Sequence, residues 1–235
     1  MTHDLETIIS RRFEELAESA MFPQDVAPDD FELRATLDWL GNVRSRLVLD
    51  VGCAKGRFVK ALSHLGARVI GADPTWKLIL AASRNAPGCA FALSTATRLP
   101  FLGSTYDGAL CIEVIEHIPD LDRALGEIAR TLKPGGRAII IDKNLLGLGF
   151  YRFYPNWLYK VAMERLGRWS YPADFPFTER WYTSWSVRRK LRRHFARVEV
   201  RYLDGRVRGS RRRLLAPLFK VFPFLRPDIA WCCER

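Results

Sequence analysis

Between residues 46 and 142 the sequence alternates short apolar runs with longer stretches of helical periodicity. The five apolar runs are RLVLDV, ARVIGA, CAFALS, DGALCI and RAIIID. Each is nearly continuous in apolar residues, which is typical of a parallel strand buried on both faces. The alternation therefore predicts an α/β fold, with a doubly wound parallel sheet covered by helices on both sides.

The segments on either side of this core extend it. Residues 4–20 and the stretch that begins at Pro28 show the apolar spacing of helices. Residues 150–185 break the rhythm and hold 13 of the 28 aromatic residues, and two further apolar runs, ARVEVRYL and IAWCC, follow. One domain over 1–235 is predicted, in four parts: a helical cover (1–45), a cofactor-binding core (46–143), a lid insertion (144–187) and a basic C-terminal region with a helix and the last strands (188–235).

Charge is concentrated near the C-terminus. Residues 188–213 hold twelve Lys and Arg against two acidic residues, and so carry ten of the eleven net positive charges. This surplus favours an acidic partner. The five cysteines show no C-x-x-C spacing, and no uncharged run approaches the roughly 18 residues of a membrane-spanning helix. A cytoplasmic protein is expected, with peripheral contact at the inner face of a membrane as an extension.

A glycine loop follows the first predicted strand. In VLDVGCAKGRF the strand ends near Asp50, the chain turns through Gly52 and Gly56, and a helix begins. Ligands of parallel sheets bind at such strand ends, where glycine lets the backbone approach closely. A dinucleotide fingerprint needs glycine at positions that hold Ala54 and Arg57, and the G-K-S/T ending of a phosphate loop is absent. The loop therefore indicates another nucleotide-like ligand.

The loop resembles motif I of the class I S-adenosylmethionine-dependent methyltransferases, acid-x-G-x-G-x-G, with Ala54 in place of the middle glycine. Asp73 in VIGADPT lies 21 residues after Gly52, where an acid can accept ribose hydroxyl hydrogen bonds. Three further stretches resemble the later motifs of the ubiquinone-methyltransferase-like (type 11) branch: TRLPF (97–101), YDGALCIEVIEHIPD (106–120) and LKPGGRAIIID (132–142). The resemblance covers about residues 46–142.

This resemblance implies a seven-strand sheet of order 3-2-1-4-5-7-6 and S-adenosyl-L-methionine as the cofactor. One departure is that Thr95 stands where the branch often carries an aspartate that binds the adenine amine. The cofactor-binding residues that it implies are Asp50, Gly52, Cys53, Ala54, Gly56, Asp73, Pro74, Thr95, Ala96 and Glu113.

The E-x-x-E-H cluster after the fourth strand contains the candidate catalytic residues. His117 and Glu116 are predicted to act on the acceptor proton, because a neutral hydroxyl gains from a general base. Two alternatives stay open for the cluster. Glu113 can shape the cofactor site while His117 bonds nearby backbone, or Glu113, Glu116 and His117 can hold a metal ion, although no metal is predicted. Asp142, Lys143 and Asn144 follow the fifth strand, where Lys143 could contact an anion.

These features predict O-methylation of a small or lipid-linked hydroxyl acceptor. Aromatic residues of the insertion would enclose an apolar or ring-bearing substrate. Residues 188–225 combine basic and apolar residues, which fits an anionic membrane surface, a helix packed on the sheet edge, or RNA, the least favoured partner. The alternative functions are an RNA 2′-O-methyltransferase that uses a metal at the E-x-x-E-H cluster and a non-catalytic, cofactor-binding regulatory protein.

Overall fold

A computed structural model describes residues 2–19, 21–149, 155–166, 170–172, 174–207 and 209–235. Seven strands form one sheet in these ranges: β1 (Leu47–Val51), β2 (Arg68–Asp73), β3 (Ala90–Leu93), β4 (Tyr106–Ile112), β5 (Leu132–Lys143), β6 (Arg197–Leu203) and β7 (Asp228–Glu234). Their order is β3-β2-β1-β4-β5-β7-β6, with the first five parallel and β7 antiparallel to both neighbours. The predicted fold class and strand order are confirmed.

Eight α-helices surround the sheet in the described residues: α1 (Thr2–Leu16), α2 (Phe31–Leu40), α3 (Arg57–His64), α4 (Trp76–Asn85), α5 (Leu121–Thr131), α6 (Asn156–Arg165), α7 (Ser184–Leu191) and α8 (Gly209–Val221). Single 3₁₀ turns span Ile115–His117 and Pro223–Leu225. The second helix begins three residues after Pro28, because the Asp30 side chain accepts a hydrogen bond from the Leu33 amide (2.8 Å) and caps it. Helix α6 was not predicted.

Two apolar layers bury the sheet. Helices α2, α3 and α4 cover one face and α5 and α7 the other. Both faces of β1, β4 and β5 are therefore buried. Each strand sends alternate residues into each layer, as Ile139 and Ile140 of β5 do. This double burial explains the continuous apolar runs from which the strands were predicted.

The N-terminal helix meets the insertion above the strand ends. Ile9 and Phe13 of α1 form an apolar cluster with Tyr171, Phe175 and Phe177. Five of the aromatic residues predicted for the lid, Phe150, Tyr151, Phe153, Tyr154 and Trp169, lie outside the described residues, as does Arg208 of the basic region. In the part of the chain that the structure describes, no helix is long and apolar enough to cross a bilayer.

Candidate active site

A cavity of about 780 Å³ opens at the carboxyl ends of β1, β2 and β4. Its wall combines the loop after β1, the end of β2, the segment after β3, the turn after β4, one side of α1 and parts of the insertion. The volume lies within the usual range for small-ligand sites, roughly 300–1,000 Å³. Most of the predicted residues line it: Gly52, Cys53, Ala54, Asp73, Pro74, Thr95, Ala96, Glu113, Glu116 and His117.

The glycine loop passes close to the end of β4. Gly52 has a φ of +77°, and a Cβ atom there would stand 2.3 Å from a methyl group of Val114. The amides of Gly52 and Cys53 both donate to the Ala72 carbonyl, which joins the loop to β2. Ala54 has a φ of +46°, a left-handed conformation that favours glycine. The motif's middle position thus keeps the conformation of a glycine although it holds alanine.

Asp73 ends β2 with its carboxylate on the cavity wall. One oxygen accepts a hydrogen bond from the Ala54 amide (3.0 Å) and the other from the Thr75 amide (2.9 Å). Burial raises the pKa of Asp73 to about 6, although these two bonds oppose the rise. Because each carboxylate oxygen has a second lone pair, both can still accept a bond from a ligand hydroxyl.

Two residues of the predicted cofactor set are not on the cavity wall. Asp50 lies inside β1, where burial raises the pKa of its carboxyl to about 7. Gly56 precedes α3, and a Cβ atom there would stand 3.1 Å from the Ala82 side chain of α4. Among the described residues, Gly56 therefore serves the close packing of two helices rather than the cavity.

A carboxylate from α1 lies near Thr95, the residue that stands where the motif often has an aspartate. Thr95 lines the cavity with its hydroxyl 3.0 Å from the Thr97 hydroxyl. Thr97 donates to the carboxylate of Glu6 at 2.6 Å, and Glu6 also lines the cavity. The acid that is missing from the segment after β3 is thus matched by one from the N-terminal helix.

A chain of charged and polar contacts supplies a further part of the wall. Neighbouring members lie 2.5–3.3 Å apart, and the chain runs from α3 through α2 to the insertion. We call it the polar chain; its members are Arg57, Glu32, Arg206, Glu113, Lys143, Glu116, His117 and Tyr171. Arg206 also donates to the buried Asp228 at 2.7 Å, so the connection between β6 and α8 is tied to the site.

Lys143 stands between the two glutamates of the E-x-x-E-H cluster. Its ammonium lies 2.6 Å from Glu113 and 2.5 Å from Glu116. Burial alone would lower the pKa of Lys143, but these carboxylates and Asp142 hold it well above its usual range. Its single positive charge stabilises both glutamate carboxylates. Lys143 thus contacts carboxylates of the chain itself, where an external anion had been considered.

The trio considered as metal ligands does not come together. In the described residues, the carboxylate and imidazole atoms close enough to share an ion belong to Glu116, His117 and Glu179. Glu113 instead faces Lys143 and Arg206. Any ion at this place would therefore recruit Glu179 from the insertion, a residue that the local motif could not reveal.

Both ring nitrogens of His117 have partners. Nε2 lies 3.3 Å from a Glu116 oxygen, and Nδ1 lies 2.9 Å from the Tyr171 hydroxyl. Burial alone would lower the pKa of His117, but the charge of Glu116 and the bond to it raise the pKa above its usual value. Burial likewise opposes the effect of Lys143 and His117 on Glu116, whose pKa is nevertheless lowered. Glu116 thus stays ionised and His117 gains basicity.

Residues 49–140 match a family model described as a methyltransferase domain. A curated relative, the ubiquinone biosynthesis O-methyltransferase of Rhizobium etli, is 35% identical over 101 residues, which are 41% of this chain and 41% of the relative. The chain therefore spans about two-fifths of the length of such relatives.

Solved structures share the whole fold. A 1,6-didemethyltoxoflavin-N1-methyltransferase from Burkholderia thailandensis, with bound S-adenosylhomocysteine, has a TM-score of 0.68 at 20% identity and covers all of this chain and 90% of its own. A methyltransferase from Thermotoga maritima has a TM-score of 0.66 at 17% identity and covers 96% of this chain and 99% of its own. The chain therefore shares the fold of S-adenosylmethionine-dependent methyltransferases, and its residues 49–140 match the model of a methyltransferase domain.

The cavity suits a sulfonium nucleoside. Asp73 offers acceptor lone pairs for sugar hydroxyls, and the buried Ser94 hydroxyl on the wall has no hydrogen-bond partner among the described residues. Gly52 lies on the same wall, and its missing side chain makes room for Val114 of the turn after β4. A polar ligand can therefore satisfy groups that the protein alone leaves open.

Several residues of this candidate site were not predicted: Glu6, Glu32, Tyr171, Glu179 and Arg206. They come from α1, α2, the insertion and the connection after β6, so they lie far from the motifs along the chain. A signal was present for Arg206, which belongs to the basic region, but nothing in the sequence separates it from its eleven basic neighbours.

Proposed function

We propose that this chain transfers a methyl group from S-adenosylmethionine to a hydroxyl oxygen of a small or lipid-linked acceptor. The observation that carries the proposal is one cavity whose lining combines two chemically different sets of residues. Gly52 and Asp73 belong to the first set, which we call the cofactor end, and Glu116 and His117 belong to the second, which we call the acceptor end. A donor and an acceptor held in one cavity can react without a covalent enzyme intermediate.

The first end would hold the cofactor. Asp73 would accept bonds from the ribose hydroxyls, and Glu6 would accept one from the exocyclic amine of the base, a role for which Thr95 has no carboxylate. When bound, the cofactor supplies a methyl group that is activated by a sulfonium charge. The chain's own task is therefore to orient the reacting groups and to exclude water.

The second end would act on the acceptor. Transfer forms a bond between oxygen and the methyl carbon, breaks the bond between that carbon and sulfur, and releases the acceptor proton. His117 would take this proton after exchanging its contact with Tyr171 for one with the acceptor, while Glu116 stabilises the imidazolium. His117 and Glu116, the two predicted catalytic residues, would thus act as base and as supporting carboxylate.

The acceptor class is inferred from the wall of the cavity and from the relatives. Phe13, Phe22 and Tyr159 add aromatic rings to the lining, which suit an apolar or ring-bearing substrate. Curated relatives are named for O-methylation in ubiquinone biosynthesis. A phenolic or lipid-linked hydroxyl is the class that both features support.

Incubation with labelled S-adenosylmethionine and a cell extract of lipids and metabolites tests the proposal. We expect mass spectrometry to find label on a hydroxyl compound in the lipid or small-molecule fraction. His117→Gln should lower turnover about a hundredfold or more while S-adenosylhomocysteine still binds. Label on RNA, with turnover that requires a metal, would favour the RNA methyltransferase. Folded protein that gives no heat of binding with S-adenosylhomocysteine would refute the proposal.

The cofactor end has its own test in Asp73→Asn. We expect this change to weaken S-adenosylhomocysteine binding by about 1.5–3 kcal/mol, the usual value of a hydrogen bond to a charged group. Asp122→Asn, on the exposed start of α5, is the matched control and should bind as the unaltered chain does. Calorimetry measures both, and equal affinities would show that the sugar lies elsewhere.

A further inference from the structure

We infer that the exposed faces of α6 and α8, together with the turn at Pro223–Leu225, form a surface that docks on an anionic lipid bilayer. We call it the α6–α8 surface. It uses neither the cofactor end of the cavity nor the polar chain, so it is an interaction site separate from the reaction. The inference that the acceptor reaches the cavity from this membrane rests on the proposed function.

Helix α6 has its polarity reversed. Its buried face carries Asn156 and Lys160, whereas Trp157 is 44% exposed and Leu158 and Val161 are exposed beside it. The buried donor groups are satisfied, because the Asn156 side-chain amide donates to the Asn144 carbonyl (3.0 Å) and Lys160 pairs with Glu164. A surface helix normally turns its apolar stripe towards the core. The outward stripe of α6 therefore indicates a further apolar environment.

Helix α8 buries only a narrow stripe. Leu215 and Phe219 pack inward with Val207, while Leu214 and Val221 are 66% and 68% exposed. Leu214 and Val221 lie two helical turns apart on one side of the helix, and Phe222 and Phe224 continue the exposed apolar residues beyond it. Such a combination suits a helix that lies in the plane of a membrane interface.

Hydrogen bonds join the start of α6 to the segment that follows α8. The side-chain amide of Asn144 donates to the Phe224 carbonyl (2.8 Å), and the side-chain amide of Asn156 donates to the Pro227 carbonyl (3.3 Å). The first residues of α6 are thus held against the end of the turn that follows α8. Because Tyr159 of α6 lines the cavity, the surface lies next to the place where an acceptor would enter.

The charge of this region selects the kind of lipid. Residues 209–225 contain four Lys and Arg and no acidic residue. Lys220 and Arg213 are exposed on α8, next to the apolar stripe. Basic residues beside shallow apolar side chains bind anionic headgroups, whereas a neutral bilayer offers only the apolar contribution. An anionic bilayer therefore fits this region better than a neutral one.

Flotation with vesicles measures docking without any turnover. We expect the full chain to bind vesicles that contain phosphatidylglycerol, and to bind pure phosphatidylcholine vesicles much more weakly. Val221→Ser with Phe224→Ser should weaken binding about tenfold or more. Lys220→Gln with Arg213→Gln should weaken it about tenfold as well, and added salt should have the same effect. Circular dichroism confirms that each variant is folded.

Matched controls place the same changes elsewhere. Leu102→Ser removes an exposed apolar side chain before β4, and Arg84→Gln removes an exposed charge from α4. Both should bind vesicles as the unaltered chain does. Equal binding by all variants, no preference for phosphatidylglycerol, or binding to RNA without binding to vesicles would overturn the inference. Vesicle binding by a chain that lacks methyl transfer would refute the proposed function alone.

Discussion

The neighbouring carboxylate of Glu116 raises the proton affinity of His117, the proposed base. Glu116 raises the pKa of His117 against the opposing effect of burial. We expect Glu116→Gln to lower the pKa of His117. Burial and the Lys143 charge both lower this pKa, and without Glu116 the carboxylate of Glu179 still opposes them. The rising limb of the pH–activity profile, which reports deprotonated His117, should move to lower pH. Titration of the imidazole signals by NMR measures the change directly.

The assignment of that signal is practicable because the chain has four histidines, and His117→Gln identifies the one that matters. Glu199→Gln is the matched control, since Glu199 pairs with exposed arginines of β6 and lies outside the polar chain. An unchanged His117 pKa in Glu116→Gln would mean that the contact at 3.3 Å has little electrostatic effect.

At the scale of elements, the glycine loop and the turn after β4 are packed against each other through one contact. Gly52 and Gly88 both have positive φ, but a Cβ atom at Gly52 would meet Val114 at 2.3 Å whereas one at Gly88 would meet nothing within 4 Å. We expect Gly88→Ala to cost about 1–2 kcal/mol of unfolding free energy from backbone strain, and Gly52→Ala about 1–3 kcal/mol more from overpacking. Urea unfolding measures both.

Val114→Ala in the Gly52→Ala background separates the two effects. Removing the Val114 methyl groups should recover the unfolding free energy lost to overpacking but not that lost to backbone strain. The double variant should therefore lose about as much unfolding free energy as Gly88→Ala does. A double variant as unstable as Gly52→Ala would show that the clash is relieved in some other way.

The same elements show how far sequence patterns reach. The parallel strands were predictable because burial on both faces imposes continuous apolar runs, and Gly52 and Asp73 were predictable because they lie next to strand ends. Helix α6 was missed because its buried positions are polar, the opposite of the pattern used to recognise a helix. Glu6 and Arg206 were missed because only the folded chain brings them to the cavity.

At the scale of the whole molecule, the cavity joins parts of the chain that share few other contacts. Helix α1, the glycine loop, the turn after β4, Ser170 and Glu179 all contribute to its wall. Helix α1 meets the rest through Ser10, Glu14 and the cluster around Tyr171, among other contacts. A ligand that contacts Glu6 and Asp73 together should therefore stabilise α1 on the core. We expect S-adenosylhomocysteine to slow amide hydrogen exchange in α1 as well as in the glycine loop.

Helix α5 supplies the internal control for that measurement. It packs between the sheet and α7, and its residues do not line the cavity in the described part of the chain. Its exchange should change only as much as global stabilisation requires, whereas α1, which opens locally, should gain additional protection. Protection of the glycine loop without protection of α1 would show that Glu6 does not contact the ligand. Binding of the adenine ring would then depend on the segment around Thr95 alone.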